Sequence, residues 1–135
     1  MNIVIDTNVV ISAAMSPNGK PARIMEYVAD NNDVQIFLSN AILAEYKDVL
    51  SRPQLKISND KQAKAIDLFT REGRFVEPTK SEVSFIDESD RVFYDVTVES
   101  GAILITGNAK HYPLVSFVMS PTDFIEQIEY QPERE

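Results

Sequence analysis

The sequence predicts an α/β fold, a three-layer α/β/α sandwich around a central, mainly parallel sheet, and three observations carry that expectation. Short apolar runs rich in β-branched residues stand at residues 2–5 (NIVI), 34–38 (VQIFL) and 102–105 (AILI), each bounded by polar residues or glycine, as buried strands are. Stretches with helical spacing lie between them, and strands alternating with helices build a parallel sheet covered on both faces. The length, 135 residues, is that of one compact domain with one core.

Taken in order, NIVI is the first strand, and the chain turns apolar again after Asp6, Thr7 and Asn8 with VVISAAM. Helical patterns run from Pro21 to about Asp30, Asn40 to Ser51, Asp60 to Glu72, Asp90 to Ser100 and Thr122 to Glu129. Pro21 suits a first helical turn, and Ser39, Asp60 and Ser120 followed by Pro121 are suitable starts. RFVEP at 74–78 and SFVMS at 116–120 read as weaker strands. The stretch 90–100 contains strand formers in VFYDVTV, but Asp90 as a start and Gly101 as a stop favour a helix. Residues 1–130 are expected to form the single domain, with 131–135 as a loose tail.

Hydrophobic residues make up 44% of the chain and charged residues 25%, a balance too apolar for a disordered protein. No apolar run approaches the roughly 20 residues of a membrane span and no basic-then-apolar leader is present, so a cytoplasmic protein is expected. The absence of cysteine excludes disulfides and thiolate metal sites, leaving oxygen ligands or the one histidine, His111, for any metal. A net charge of −8 argues against simple nucleic-acid binding, which favours a basic excess. It reflects either a solubilising surface or a concentrated acidic site.

Carboxylates stand at telling places. Asp6 follows the first strand directly, at the end where ligands of open parallel sheets bind; the alternative is that Asp6, Thr7 or Asn8 caps the helix that follows. Glu45 lies three residues after Ile42 and four before Val49, on the stripe meant for the core, where a carboxylate needs a partner or a site. Tyr46 could instead carry the packing, with Glu45 at the stripe's edge. DESD, 87–90, opens a helix, where acids favour the positive dipole end, yet a strand-helix-strand unit also brings that start to the edge holding Asp6. The next strand leads into TGNAKHYP, 106–113, which offers the Thr106 hydroxyl, the Asn108 amide, Lys110 and His111, although Thr106 and Gly107 equally suit a turn. Asp95, on the same helix as Asp90, is kept as a substitute ligand. Three carboxylates converging without a base repel one another unless a divalent cation sits among them, and oxygen ligation points to Mg²⁺ or Mn²⁺.

Together IDTNVVISA, SNAILAEYKDVL and DESDRVFYDVTVESGAILITGN resemble the PIN domain family, in particular its VapC-like toxins of type II toxin–antitoxin systems. The resemblance covers almost the whole chain. It implies a metal-dependent ribonuclease that hydrolyses RNA phosphodiester bonds, a homodimer, and a small antitoxin that blocks the site. Carried residue by residue, the three family acids fall on Asp6, Glu45 and Asp90, with Asn8 orienting the first and Thr106 in support. Where many PIN domains place a fourth acid, this chain has Asn108 and His111. Asn108 can ligate through its carbonyl or position a water but brings no charge, and Asp87 is the candidate to replace that charge. Arg91, Lys110 and His111 flank the site as candidate RNA contacts. A second expectation is a PIN-scaffold binding module whose catalysis went with the fourth acid.

Overall fold

The structure, a computed structural model, describes residues 1–130; the expected tail lies outside the described residues. Five strands, β1 (Asn2–Ile5), β2 (Gln35–Leu38), β3 (Gly73–Phe75), β4 (Ile103–Ile105) and β5 (Val118–Met119), form one sheet in the order β3-β2-β1-β4-β5 with every pairing parallel. Six helices flank it: α1 (Thr7–Met15), α2 (Lys20–Asp30), α3 (Asn40–Leu50), α4 (Asn59–Glu72), α5 (Arg91–Ser100) and α6 (Pro121–Glu129). This is the α/β/α architecture the alternating pattern predicts.

The central strands are apolar throughout because they are buried. Ile3, Val4, Ile5, Leu104 and Ile105 are sealed from solvent, as are Ile42, Tyr46, Phe69, Phe93 and Phe124 on the helices packed around them. α5 lies against β1, β2 and β4, which confirms that VFYDVTV is a helix, and Gly101 ends it in the left-handed conformation at φ +63°. Ser39 and Ser120 cap α3 and α6 as expected.

Several boundaries differ. α4 is capped by Ser58 rather than started by Asp60, because the Ser58 hydroxyl accepts the Lys61 N–H. The outer strands are shorter than the runs that foretold them, since only residues opposite a neighbour's backbone pair. α1 is the helix expected to follow Asp6, and its bounds had no signal in the sequence because VVISAAM has no polar face from which a helical period can be read.

This topology positions the site. From β1 the chain builds outward through β2 to β3 on one side, then crosses to β4 and β5 on the other. The switch point therefore lies between β1 and β4, and the crevice beyond their carboxyl ends is where such sheets bind ligands. Ile5 pairs with Ile105, so the next residues on the two strands, Asp6 and Thr106, meet at that crevice.

Candidate active site

Asp6 is 4% exposed. Its backbone N–H donates to the Ile105 carbonyl at 2.9 Å and its carbonyl accepts the Val9 N–H of the first α1 turn at 3.0 Å. The side chain makes no capping bond, so the capping alternative is excluded. Instead Oδ2 accepts from the Thr106 hydroxyl at 2.7 Å and from the Tyr112 hydroxyl at 2.9 Å. Burial pushes the Tyr112 phenol far above its ordinary range and the Asp6 carboxylate adds to this, so Tyr112 is a permanent donor.

Thr106 is fully buried and is a junction. Besides donating to Asp6, its oxygen accepts the Asn108 N–H at 3.0 Å and lies 3.5 Å from Asn8 Nδ2. Asn8 Oδ1 accepts the Gly107 N–H at 2.8 Å. A Cβ at Gly107 would sit 3.1 Å from that oxygen, so glycine allows the close approach of the two turns. Asn8 thus acts on Asp6 through Thr106 rather than by touching it.

Glu45 arrives from α3. Tyr46, fully buried, carries the packing and donates its hydroxyl to the Ile5 carbonyl, which locks α3 to the end of β1. Glu45 lies half-buried at the stripe's edge, where Thr7 donates to its Oε2. Burial raises its pKa; the Thr7 hydrogen bond opposes this, and the charges of Asp6 and Asp87 add to the rise.

Asp90 closes the third side. Glu88–Asp90 form a 3₁₀ turn before α5, so Asp87 caps that turn instead of standing one α-helical turn from Asp90. Its Oδ1 accepts from Ser89 N and Oγ at 3.0 and 2.8 Å, bonds that lower its pKa. The Asp90 side chain is 14% exposed, with His111 Nδ1 at 3.5 Å from Oδ2. That oxygen is buried without a hydrogen-bond partner. Burial, then Asp6 and Asp87, push the Asp90 carboxyl up to about 6, against the opposing pull of His111.

The remaining expectations divide. Asn108 is exposed and joins the site through its backbone N–H, with no hydrogen bond from its amide among the described residues. Lys110 is exposed and His111 half-exposed on the Ala109–His111 turn at the rim. Arg91, expected as an RNA contact, has a side chain 11% exposed with its donors taken by Ser81, Val83 and Glu88. Asp95 is buried and accepts from Ser81 N at 3.2 Å, which ties it to the same loop. The residues missed are Tyr112 and Thr7, whose hydroxyls hold two of the acids; the one signal was their position beside suspected ligands, in TGNAKHYP and DTN.

The donor set, carboxylate oxygens alone, has the chemistry that a hard divalent cation takes. Asp90 presents a buried oxygen with no hydrogen-bond partner, and the charge of Asp6 raises the cost of ionising both Glu45 and Asp90. Among the described residues no three His, Asp or Glu side chains stand close enough to hold a metal ion as they are placed.

Fold and site define an α/β/α protein with an acidic crevice at the switch point of its sheet. The PIN domain model matches residues 2–110, and the chain belongs to the PIN domain family, whose members are in general nucleases. It is 31% identical over 144 aligned residues to Uncharacterized protein MJ1680 of Methanocaldococcus jannaschii, covering 96% of this chain and 92% of that protein. Among solved structures it is similar to VapBC2 from Rickettsia felis bound to a DNA fragment from the promoter, with a TM-score of 0.57 and 16% identity over 89% of this chain and 97% of that one. No helix among the described residues is long and apolar enough to cross a membrane.

Proposed function

We propose that this chain is an endoribonuclease dependent on Mg²⁺ or Mn²⁺, in which one domain over residues 1–130 binds the cation through Asp6, Glu45 and Asp90. The observation that carries the reading is the buried Asp90 oxygen without a hydrogen-bond partner, on a carboxyl group that feels the charges of Asp6 and Glu45. A bound divalent cation would lower the pKa of water and offset charge building on the phosphate. The chain's own residues do the rest. Thr106 and Tyr112 aim Asp6, Thr7 aims Glu45, and Asn8 steadies Thr106. Asn108 lines the rim with Lys110 and His111, which offer contacts to an arriving phosphate backbone, and Asp87 adds negative charge beside Asp90. Water attacks phosphorus, the P–O3′ bond breaks, and the proton released ends on the 3′ oxygen, leaving a 5′-phosphate and a 3′-hydroxyl.

The wider reading is the toxin of a toxin–antitoxin pair: a cytoplasmic homodimer held in check by a small antitoxin protein. The likeness to the VapBC2 chain supports it. Incubating RNA with the wild type and Asp6→Asn in EDTA, Mg²⁺ or Mn²⁺, and identifying the new ends, tests the nuclease. Cleavage retained by Asp6→Asn sinks the assignment. Co-purification with the product of a small neighbouring reading frame tests the toxin reading.

A second reading, a PIN-scaffold binding module, is favoured by the exposed Asn108 amide where an acid would complete the site. It prevails if millimolar Mn²⁺ neither binds nor raises the melting temperature.

A further inference from the structure

Residues 76–87 run from β3 to the acidic turn with no helix or strand of their own, and a stretch of that length inside a compact domain holds one shape only where something ties it down. The tie is Arg91, the first residue of α5. Its guanidinium has five N–H donors, and each has an acceptor. Nε and one Nη2 hydrogen go to the two Glu88 oxygens at 2.8 Å, Nη1 goes to the Ser81 carbonyl and hydroxyl, and the other Nη2 hydrogen goes to the Val83 carbonyl. The same group lies 5.0 Å above the Phe85 ring. From α5, Asp95 takes the Ser81 N–H.

Two routes lead from this strap to the site. Glu88 sits between Asp87 and Asp90 in the 3₁₀ turn, so clamping it fixes the backbone that aims both acids. This matters because Asp90 Oδ2 makes no hydrogen bond that would aim it. Phe85 packs edge-on against Tyr112, ring centres 6.1 Å apart, and Tyr112 donates to Asp6. One guanidinium therefore touches Glu88, beside Asp90, and Phe85, which packs on the donor to Asp6.

We propose that Arg91 is a positioning residue for the cation site, holding the 81–88 strap so that Asp90 directly, and Asp6 through Phe85 and Tyr112, face a shared ion. This rests on the reading of the acidic crevice as a cation site. A lysine would keep the charge but has no planar fork to serve three acceptors at once, so Arg91→Lys is the informative variant, with Phe85→Leu as a milder second cut.

The experiment is calorimetric titration of wild type, Arg91→Lys and Phe85→Leu with Mn²⁺ alone, alongside amide hydrogen exchange over 76–90 and melting in EDTA. The expected result is faster exchange in the strap and Mn²⁺ affinity lower by about tenfold or more in Arg91→Lys, the scale seen when a ligand's support is removed. The EDTA melting temperature should fall only slightly. Phe85→Leu should weaken Mn²⁺ in the same direction and serves as the deciding variant if Arg91→Lys does not fold. Unchanged Mn²⁺ affinity in a folded variant with a loosened strap overturns the positioning role and leaves the nuclease reading intact. A wild type that binds no Mn²⁺ and cuts no RNA overturns that reading, and this inference with it.

Discussion

Tyr112 donates its hydroxyl to Asp6 across 106 positions of sequence, at 2.9 Å and away from solvent. Thr106 donates to the same oxygen, so both directing bonds on Asp6 come from the segment following β4. Replacing Tyr112 with Phe removes one donor and no volume from the ring. Because Thr106 remains, the expected cost in stability is about 1 kcal/mol, the net worth of one such bond. Mn²⁺ affinity should fall several-fold as the carboxylate loses its fixed direction. Urea unfolding and Mn²⁺ titration of Tyr112→Phe check both, and a variant matching wild type in affinity would show that Thr106 alone orients Asp6.

Thr106→Val should cost more. The substitution keeps the shape of a fully buried side chain but deletes a hydroxyl that serves Asp6 and the Asn108 N–H and adjoins Asn8. It leaves the Asn108 N–H without its acceptor and Asp6 Oδ2 with Tyr112 alone, and leaving a buried group unpaired costs about 1–3 kcal/mol. The unfolding midpoint should therefore drop further than in Tyr112→Phe. Their double variant should depart from additivity, since both act on one oxygen.

What the sequence revealed of this site followed from local rules, and what it concealed followed from long-range contacts. Asp6 was visible because a carboxylate directly after a buried strand is unusual, and Glu45 because it lies three residues after Ile42 and four before Val49. The central strands were visible as β-branched runs, and Ser39 and Ser120 as caps. Tyr112 and Thr7 look locally like a core aromatic and a helix-start residue; only the folded sheet brings their hydroxyls to Asp6 and Glu45. Arg91 looks like a cation offered to RNA because it flanks the proposed site, whereas its acceptors Ser81 and Val83 lie on a loop that no periodicity describes. The apolar VVISAAM left the extent of α1 unread, having no polar face to betray its period.

Gly73 tests the seam between α4 and the edge strand. A Cβ there would lie 2.3 Å from the Phe69 carbonyl oxygen and 2.5 Å from a Leu38 methyl. Backbone oxygen cannot rotate away, and Leu38 is fully buried. Gly73→Ala should therefore destabilise by about 3 kcal/mol, the upper range for overpacking, while the acidic crevice keeps its cation response. Chemical denaturation gives the first quantity and a Mn²⁺-induced melting shift the second. A near-neutral substitution would mean that β3 does not pack this closely against α4.

Asp90 sets the pH dependence. Its carboxyl is raised from 3.8 to about 6, first by burial and then by Asp6 and Asp87, so the folded protein keeps a proton that the unfolded chain releases. Stability from that group is full below the unfolded value and is lost as pH rises through about 6; Glu45, also raised, has the same sign. In EDTA the wild type should lose about 1 kcal/mol more than Asp90→Asn between about pH 4 and pH 7, the full shift being discounted because solvent screens a partly exposed group. At neutral pH without metal, Asp90→Asn should therefore be the more stable protein. Saturating Mn²⁺ should reverse the order, because a cation binds the ionised carboxylate and stabilises the folded state in proportion to its occupancy. Melting curves of both proteins across this pH range, with EDTA and with Mn²⁺, measure all three signs. A wild type more stable than Asp90→Asn in EDTA at pH 7 would mean that Asp90 already has a counter-charge within the fold and is not waiting for a cation.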